Sequence, residues 1–327
     1  MFDLISIGDA RIDNFVHLPK AHIQCNLNKE TCELCLNYGD KIPIDDIKSL
    51  TAGNNNNNAI GAARLKLKTA LYGNVGGDGN GKIILDHLKE EGVDTRYVVV
   101  NKDVSTEQSI VLNYQGERTI LVYHHPWDYH LPDLEKTKWV YFSSVSYSFP
   151  KTPLIPQIEK YIERTGANLA FTPGTHQLSF GVKKYPRLLS LTKVFIVNKE
   201  EAKKVLGVPE AKKVEIKKLL SGLSDLGPQI IVITDGGEGS FGFSGKNFYE
   251  ISAFPANLVE MTGAGDAYAT GLIAGLFYGK DLPEAMRWGA ANGAAVVEKI
   301  GPQEGLLTYN QMQEKLKENS KIVAKEI

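Results

Sequence analysis

Thr262-Gly263-Ala264-Gly265-Asp266 is the stretch of this chain best suited to chemistry. Glycines on either side of Ala264 let the backbone approach a ligand closely. The next run, Ala267 to Tyr278, has the apolar content of a buried helix. A helix start directs free N–H groups and a positive dipole end toward whatever precedes it, so the segment predicts an anion hole. Asp266 falls in the first turn. It can serve as a simple cap, and beside a phosphate cradle it also stands where a base must take a hydroxyl proton during phosphoryl transfer. For an isolated Gly-Ala-Gly-Asp the cap is the simpler reading, so the rest of the chain must decide.

Other candidate motifs are weaker. None of the pairs Gly81-Lys82, Gly245-Lys246 and Gly279-Lys280 is followed by Ser or Thr, so there is no Walker A loop. Gly237-Glu238-Gly239-Ser240-Phe241-Gly242 matches the dinucleotide fingerprint and comes after an apolar run, Ile230 to Thr234. The fingerprint needs its last glycine to open a helix; Phe241 to Tyr249 reads as turn and strand instead, and the expectation is a hairpin. His22, Cys25, Cys32 and Cys35 have soft-ligand chemistry that can enclose zinc. Small packing residues are the plainer reading of these cysteines, and metal binding stays open. All three cysteines of the chain fall within that stretch, so no disulfide framework holds the protein together and a reducing compartment fits. The run Asn54 to Asn58 sits between Ala52-Gly53 and a helix-patterned segment, where asparagine caps helices and tolerates left-handed backbone.

The elements that must position these groups alternate. Phe2 to Asp9, Thr69 to Val75, Trp139 to Phe142, Asn168 to Phe171, Val194 to Val197 and Ile230 to Thr234 read as buried strands. Between them, Asn57 to Leu65, Gly81 to Glu91, Leu154 to Thr165, Lys199 to Leu206 and Lys213 to Leu223 have helical spacing. That alternation predicts an α/β fold with a doubly wound, mostly parallel sheet flanked by helices. Two stretches, approximately 15–47 and 98–123, look like antiparallel strands instead, with Gln108 to Tyr114 and Glu117 to Val122 as a hairpin. They read as insertions forming a small β-sheet lid.

With 327 residues and no Pro/Ser-rich linker near the middle, residues 1–327 read as one domain. The 37 basic residues nearly balance 38 acidic ones, which argues against nucleic-acid or membrane partners and for a small-molecule ligand. Phe2 to Ile7 is too short for a signal-peptide core and has no basic segment before it, so a cytoplasmic location is expected.

Val259-Glu260-Met261-Thr262-Gly263-Ala264-Gly265-Asp266 and the segment Ala52-Gly53 through Asn57, Ala59 and Arg64-Leu65 together resemble the two signatures of the ribokinase-like (PfkB-type) carbohydrate kinases. Gly8-Asp9 with Asp13, Gly73, Gly76 and Asp78, Gly116-Glu117-Arg118-Thr119, Asn198-Lys199-Glu200-Glu201, and Thr234 with Gly236 and Gly239 extend the likeness over nearly the whole chain. The resemblance implies transfer of the γ-phosphoryl group of Mg-ATP to a hydroxyl of a sugar or sugar-like acceptor. Asp266 would then be the catalytic base, and the amides of Gly263, Ala264 and Gly265 the anion hole. Asp13, Gly53 and Asn57 would line the acceptor site; Asn198 and Glu201 would serve the phosphates and Mg2+, Glu201 indirectly. Thr234, Gly236, Gly239 and Asn292 would surround the nucleotide, and Arg118 would help from the lid.

The chain departs from the family pattern at named positions. Glu260-Met261 stands where the family usually has Asp-Thr, an aspartate that often helps hold a monovalent cation, so K+ dependence is open. Ala52-Gly53 replaces a Gly-Gly pair, and Thr172-Pro173-Gly174-Thr175-His176 replaces an Asp-x-Asn-x-Arg segment near the acceptor. A nucleoside kinase shares the same motifs and is the alternative acceptor reading. A non-catalytic sugar- or nucleotide-binding regulator is the alternative of another class, and a Rossmann oxidoreductase is more distant. Bare edges of a lid sheet offer a surface for a homodimer.

Overall fold

The computed structural model describes residues 1–26, 32–115 and 117–327; Gly116 of the hairpin motif and residues 27–31 of the first insertion lie outside the described residues. A ten-stranded sheet runs in the order Lys325–Glu326, Asn247–Ile251, Ser240–Ser244, Ile230–Thr234, Thr192–Asn198, Asn168–Phe171, Thr137–Phe142, Phe2–Ile7, Thr69–Gly76, Asp94–Asn101. Pairing is parallel from Ile230–Thr234 to the Asp94–Asn101 edge, and antiparallel where the last three strands join. The doubly wound architecture expected from the alternating pattern is the one the chain forms.

Side chains along each strand alternate between the two faces. Val140, Phe142, Phe195, Val197, Ile231 and Ile233 belong to one core, with residues of helices Leu154–Thr165, Lys199–Leu206 and Ile216–Ser224. Trp139, Tyr141, Val194, Ile196, Ile230 and Val232 belong to the other, with helices Ala264–Phe277 and Leu282–Val296. Burial on both faces is why these strands read as continuous apolar runs.

Chain order fixes where a ligand can sit. Phe2–Ile7 lies between Thr137–Phe142 on one side and Thr69–Gly76 on the other, so the sheet is wound in both directions from it. The carboxyl ends of Phe2–Ile7 and Thr137–Phe142 therefore form a switch point, the place where open α/β sheets leave a crevice. Asp9 N–H donates to Ser144 O at 3.0 Å there, tying the two strand ends together.

The glycine-rich match at 237–242 is a hairpin, as its context implies. A 3-10 turn at Gly236–Glu238 leads into Ser240–Ser244, which pairs antiparallel with Asn247–Ile251 and leaves no helix start for a pyrophosphate.

A second, four-stranded sheet has the order Asp46–Ala52, Arg11–His17, Gln108–Tyr114, Glu117–Tyr123. Its limits differ from 15–47 and 98–123. Val98, Val99 and Val100 pair with Gly73, Asn74 and Val75, so they finish the edge of the large sheet, while the small sheet already begins at Arg11 and lasts to Ala52. One pairing is parallel, Arg11–His17 with Gln108–Tyr114, because these neighbours come from separate insertions and no hairpin joins them. Glu117–Tyr123 is an edge strand, exposed along its length.

His22–Cys25 and Cys32–Cys35 make a separate two-stranded ribbon. Cys25 and Cys32 face one another across it and are joined as a disulfide, while Cys35 is free. This corrects the reading of all three as small packing residues: two of them form a disulfide, the ribbon stands away from the core and its cysteines are exposed or half-exposed. The bond spans a sequence separation of only 7, so it is a local staple.

Candidate active site

The asparagine run is the first turn of helix Asn54–Arg64, which begins earlier than the periodicity suggested. Gly53 caps it with φ 103°, and a Cβ there would stand 2.7 Å from Asp9 O, so only glycine fits. The asparagines then divide their work. Asn55 Nδ2 donates to Ser144 O at 3.1 Å, clamping the switch point. Asn58 Nδ2 reaches Thr270 Oγ1 at 3.0 Å, and Asn57 Nδ2 donates to Asp266 Oδ2 at 2.8 Å. Two sequence signals more than 200 residues apart thus meet in one hydrogen bond.

Asp266 lies in the first turn of helix Ala264–Phe277, partly open to a cavity and otherwise crowded by protein. Loss of hydration pushes its carboxyl up to about 6, against the opposing pull of the Asn57 hydrogen bond and Arg11. Gly263 caps the helix with φ 84°, and a Cβ there would lie 2.5 Å from Pro302. Ala264 N–H turns back to Met261 O at 3.3 Å, whereas the N–H groups of Gly263 and Gly265 have no backbone acceptor among the described residues. Among the described residues these two glycine amides are thus the unpaired donors at the helix start, while Ala264 N–H, expected with them, is taken.

Arg11, Asp13, Gly53, Asn54, Asn57 and Asp266 share a cavity of about 540 Å³ at the switch point. Ser109, Arg118, Ile120 and Val122 reach it from the small sheet, and His124 and His176 complete the wall. Asp13 is buried, which raises its pKa, and its Oδ1 has no partner among the described residues. Arg118 pairs with Glu260 across 3.6 Å, joining the small sheet to the loop before the anion hole. The same Glu260 oxygen accepts from Thr262 N–H at 2.7 Å, so the residue that departs from the family pattern is built into that loop.

His124 and His176 meet edge to face, 4.6 Å between ring centres, and burial lowers the pKa of both. His124 Nδ1 lies 3.2 Å from Glu107 Oε2, a buried carboxylate pushed up to about 7 by loss of hydration. Arg11 precedes Asp13 by two on one strand, which puts both on the same face. Of Arg11, Arg118, His124 and His176, sequence reasoning singled out only Arg118 and, as part of a departing segment, His176. The two-residue spacing to Asp13 was a usable signal for Arg11; nothing marked His124.

A second cavity, of about 500 Å³, adjoins the first, and Met261 and Gly265 line both. Thr234, Gly236 and Gly239 are in its wall, with Ala253, Phe254, Tyr268 and Val297. Among the described residues no charged side chain lines it, which suits an aromatic base more than a sugar phosphate.

Asn292 differs from expectation. Its Nδ2 donates to Ala267 O at 2.8 Å and its Oδ1 accepts from Leu307 N–H at 3.0 Å, so a buried brace between helices uses both ends of the amide. Its neighbour Gly293 lines the cavity instead. Asn198 and Glu201 line neither cavity; they form a reciprocal cap on helix Lys199–Leu206. Glu201 still senses Asp266 electrostatically, and burial raises its pKa.

Comparison with known proteins agrees with this architecture. The model of the pfkB family of carbohydrate kinases matches residues 19–308, and the chain belongs to that family. A 5-dehydro-2-deoxygluconokinase of Geobacillus thermodenitrificans is 27% identical over 292 residues, covering 83% of this chain and 86% of its own. A nucleoside kinase of Methanothermobacter thermautotrophicus is 24% identical, covering 93% and 92%. The crystal structure of a putative ribokinase II from E. coli, in complex with ATP and Mg2+, superposes with a TM-score of 0.80 at 18% identity, covering 98% of this chain and all of that one.

Proposed function

We propose that this kinase transfers the γ-phosphoryl group of ATP to a hydroxyl of a sugar or sugar-like acceptor held in the cavity at the switch point. The observation that carries the reading is Asp266: a carboxylate with a raised pKa, held by Asn57 beside the free glycine amides, where the two cavities meet. The acceptor binds against Asp13 and Asn57, and the orphaned Asp13 Oδ1 supplies an acceptor for one of its hydroxyls. Asp266 takes the proton of the reacting hydroxyl as its oxygen bonds to the γ-phosphorus. The bond to the bridging oxygen breaks, and ADP leaves from the apolar cavity. The amides of Gly263 and Gly265 face the charge that develops on the transferring group.

No cluster of His, Cys, Asp and Glu among the described residues is arranged to hold a metal. Mg2+ would arrive on the nucleotide, since it meets proteins through one or two carboxylates and keeps several waters; Glu201, which caps helix Lys199–Leu206 and lines neither cavity, would serve it indirectly. When bound with the nucleotide, Mg2+ would supply charge neutralisation of the phosphates. The small sheet acts as a lid, drawn to the catalytic loop through Arg118 and Glu260, and its exposed edge Glu117–Tyr123 offers the contact for a second copy.

The test is ADP release with Mg-ATP and a panel of pentoses, hexoses, sugar acids and nucleosides. Turnover that depends on one acceptor class supports the reading. A protein that binds nucleotide and acceptor but shows no turnover with any member is a regulator, and the proposal fails. A nucleoside as the preferred acceptor would favour the second reading, which the methanogen relative keeps in view.

A further inference from the structure

A chain of hydrogen bonds runs from Asp266 away from both cavities. Asn57 Nδ2 donates to Asp266 Oδ2 at 2.8 Å, and Gln303 Nε2 donates to Asn57 Oδ1, also at 2.8 Å. Gln303 Oε1 in turn accepts from Thr51 Oγ1 at 2.8 Å and lies 3.1 Å from His87 Nε2. Gln303 is buried, and its backbone carbonyl accepts from Arg64 Nη1 at 2.6 Å. Its neighbour Pro302 is the residue against which Gly263 packs. One loop therefore supports both the anion hole and the asparagine that holds the base.

We infer that Gln303 is a positioning residue for phosphoryl transfer, its side-chain amide fixing which end of Asn57 faces Asp266. The polarity of the chain allows one solution. A carboxylate can only accept, so Asn57 must turn its NH2 toward Asp266 and leave its carbonyl to be satisfied from behind. Gln303 supplies that donor, and it does so because Thr51 and His87 occupy its own carbonyl. Without this anchor the Asn57 amide is free to turn over, and its carbonyl would then oppose the carboxylate. With it, the remaining N–H of Asn57 is kept for the acceptor, so the hydroxyl that gives its proton to Asp266 meets a donor beside it. Nothing in the sequence near Gln303 marks it: it comes directly after Gly301-Pro302 in a loop 37 residues beyond the base.

The inference rests on Asp266 being the base, but its test does not need turnover. Asp266 is faced by Arg11 and Asp13 from the small sheet, Glu201 from helix Lys199–Leu206, Tyr141 from the large sheet, and Asn54 and Asn57 from helix Asn54–Arg64. Of these, Asn57 is the one whose side chain Gln303 touches, so a change at position 303 reaches Asp266 through Asn57. At the far end of the chain His87 faces Glu90.

The carboxyl-carbon NMR resonance of Asp266, assigned by its loss in Asp266→Asn, is titrated in the ligand-free protein and in two variants. Gln303→Glu keeps shape and can accept from Thr51, but cannot donate to Asn57; Gln303→Met keeps length and removes both polar atoms. The expected result is a midpoint raised by about one unit or more in Gln303→Glu, by reversal of the Asn57 amide and added negative charge, and by less in Gln303→Met. Thermal unfolding confirms that each variant is folded. A folded Gln303→Glu with an unmoved Asp266 midpoint overturns the inference, as does an equal small shift in both variants, which a merely structural loop contact would give. Failure of the underlying reading shows separately: full turnover in Asp266→Asn would remove the base role, and no turnover with any acceptor would remove the kinase reading.

Discussion

Replacing Asp266 by asparagine separates a catalytic base from a helix cap. Asparagine is nearly isosteric, and its carbonyl can still accept the 2.8 Å bond from Asn57 Nδ2, so the cap and the glycine loop should survive. It cannot take a proton. A positioned base contributes roughly 100- to 10,000-fold in rate, whereas a lost cap costs about 1 kcal/mol of stability. The structure adds a pH signature. The Asp266 pKa is raised to about 6, so the base is ionised above that value and is lost as pH falls through it. Turnover should therefore drop about tenfold between pH 7 and pH 5 in the native enzyme. The assay is kcat against pH, with Mg-ATP affinity measured alongside by calorimetry. In Asp266→Asn the expected outcome is kcat reduced at least ~100-fold, no acid limb near pH 6 in what remains, and nucleotide affinity within about threefold of native. A folded variant that keeps kcat within about tenfold of native, with its acid limb intact, refutes the base assignment.

Three further outcomes are expected. Asp13→Ala removes a buried carboxylate whose Oδ1 awaits a donor, and should lower kcat/KM for the acceptor by roughly 10- to 100-fold with Mg-ATP affinity unchanged; equal loss of both would make Asp13 a structural residue. Gly263→Ala forces a Cβ to 2.5 Å from Pro302 at φ 84°, and should cost at least about 1–3 kcal/mol in denaturant unfolding together with most of the turnover; native-like stability would mean that the loop is softer than its geometry. Hydrogen exchange in strands Arg11–His17, Gln108–Tyr114 and Glu117–Tyr123 should slow when acceptor and a non-hydrolysable ATP analogue bind together; unchanged exchange would remove the lid role.

The large sheet was legible because its strands are buried on both faces, and runs such as Ile230 to Thr234 carry that burial in their composition. The hairpin at 240–251 was legible for a related reason: Gly242 and its neighbours alternate as a strand does, and no helical spacing succeeds them. The sequence did not show which strands of the insertions meet. Arg11–His17 lies parallel to Gln108–Tyr114, an arrangement that no turn residue can announce, and Val98 to Val100 read as insertion although they close the edge of the large sheet. Local pattern reports burial and turns; pairing between distant segments depends on where the core delivers them.

At the site the same division holds. The helix start at residues 263–266 was readable because small residues precede a run of buried-helix composition. Asn292 and the Asn198–Glu201 pair were readable as polar residues at expected places, yet hydrogen bonds to helix caps and braces occupy them. The acceptor wall is harder still. An arginine and two histidines beside a sugar site suggest, as residue types, an anionic acceptor. In the folded protein Arg11 lies close enough to Asp9, Asp13, Glu107 and Asp266 to oppose the rise in each of their pKa values, and burial lowers the pKa of His124 and His176. Much of that arginine's charge therefore goes to opposing the rise in the pKa of neighbouring carboxylates, including the proposed base. The sign of the field an acceptor meets is set by this balance among groups from several separate segments, and no single residue type along the chain encodes it.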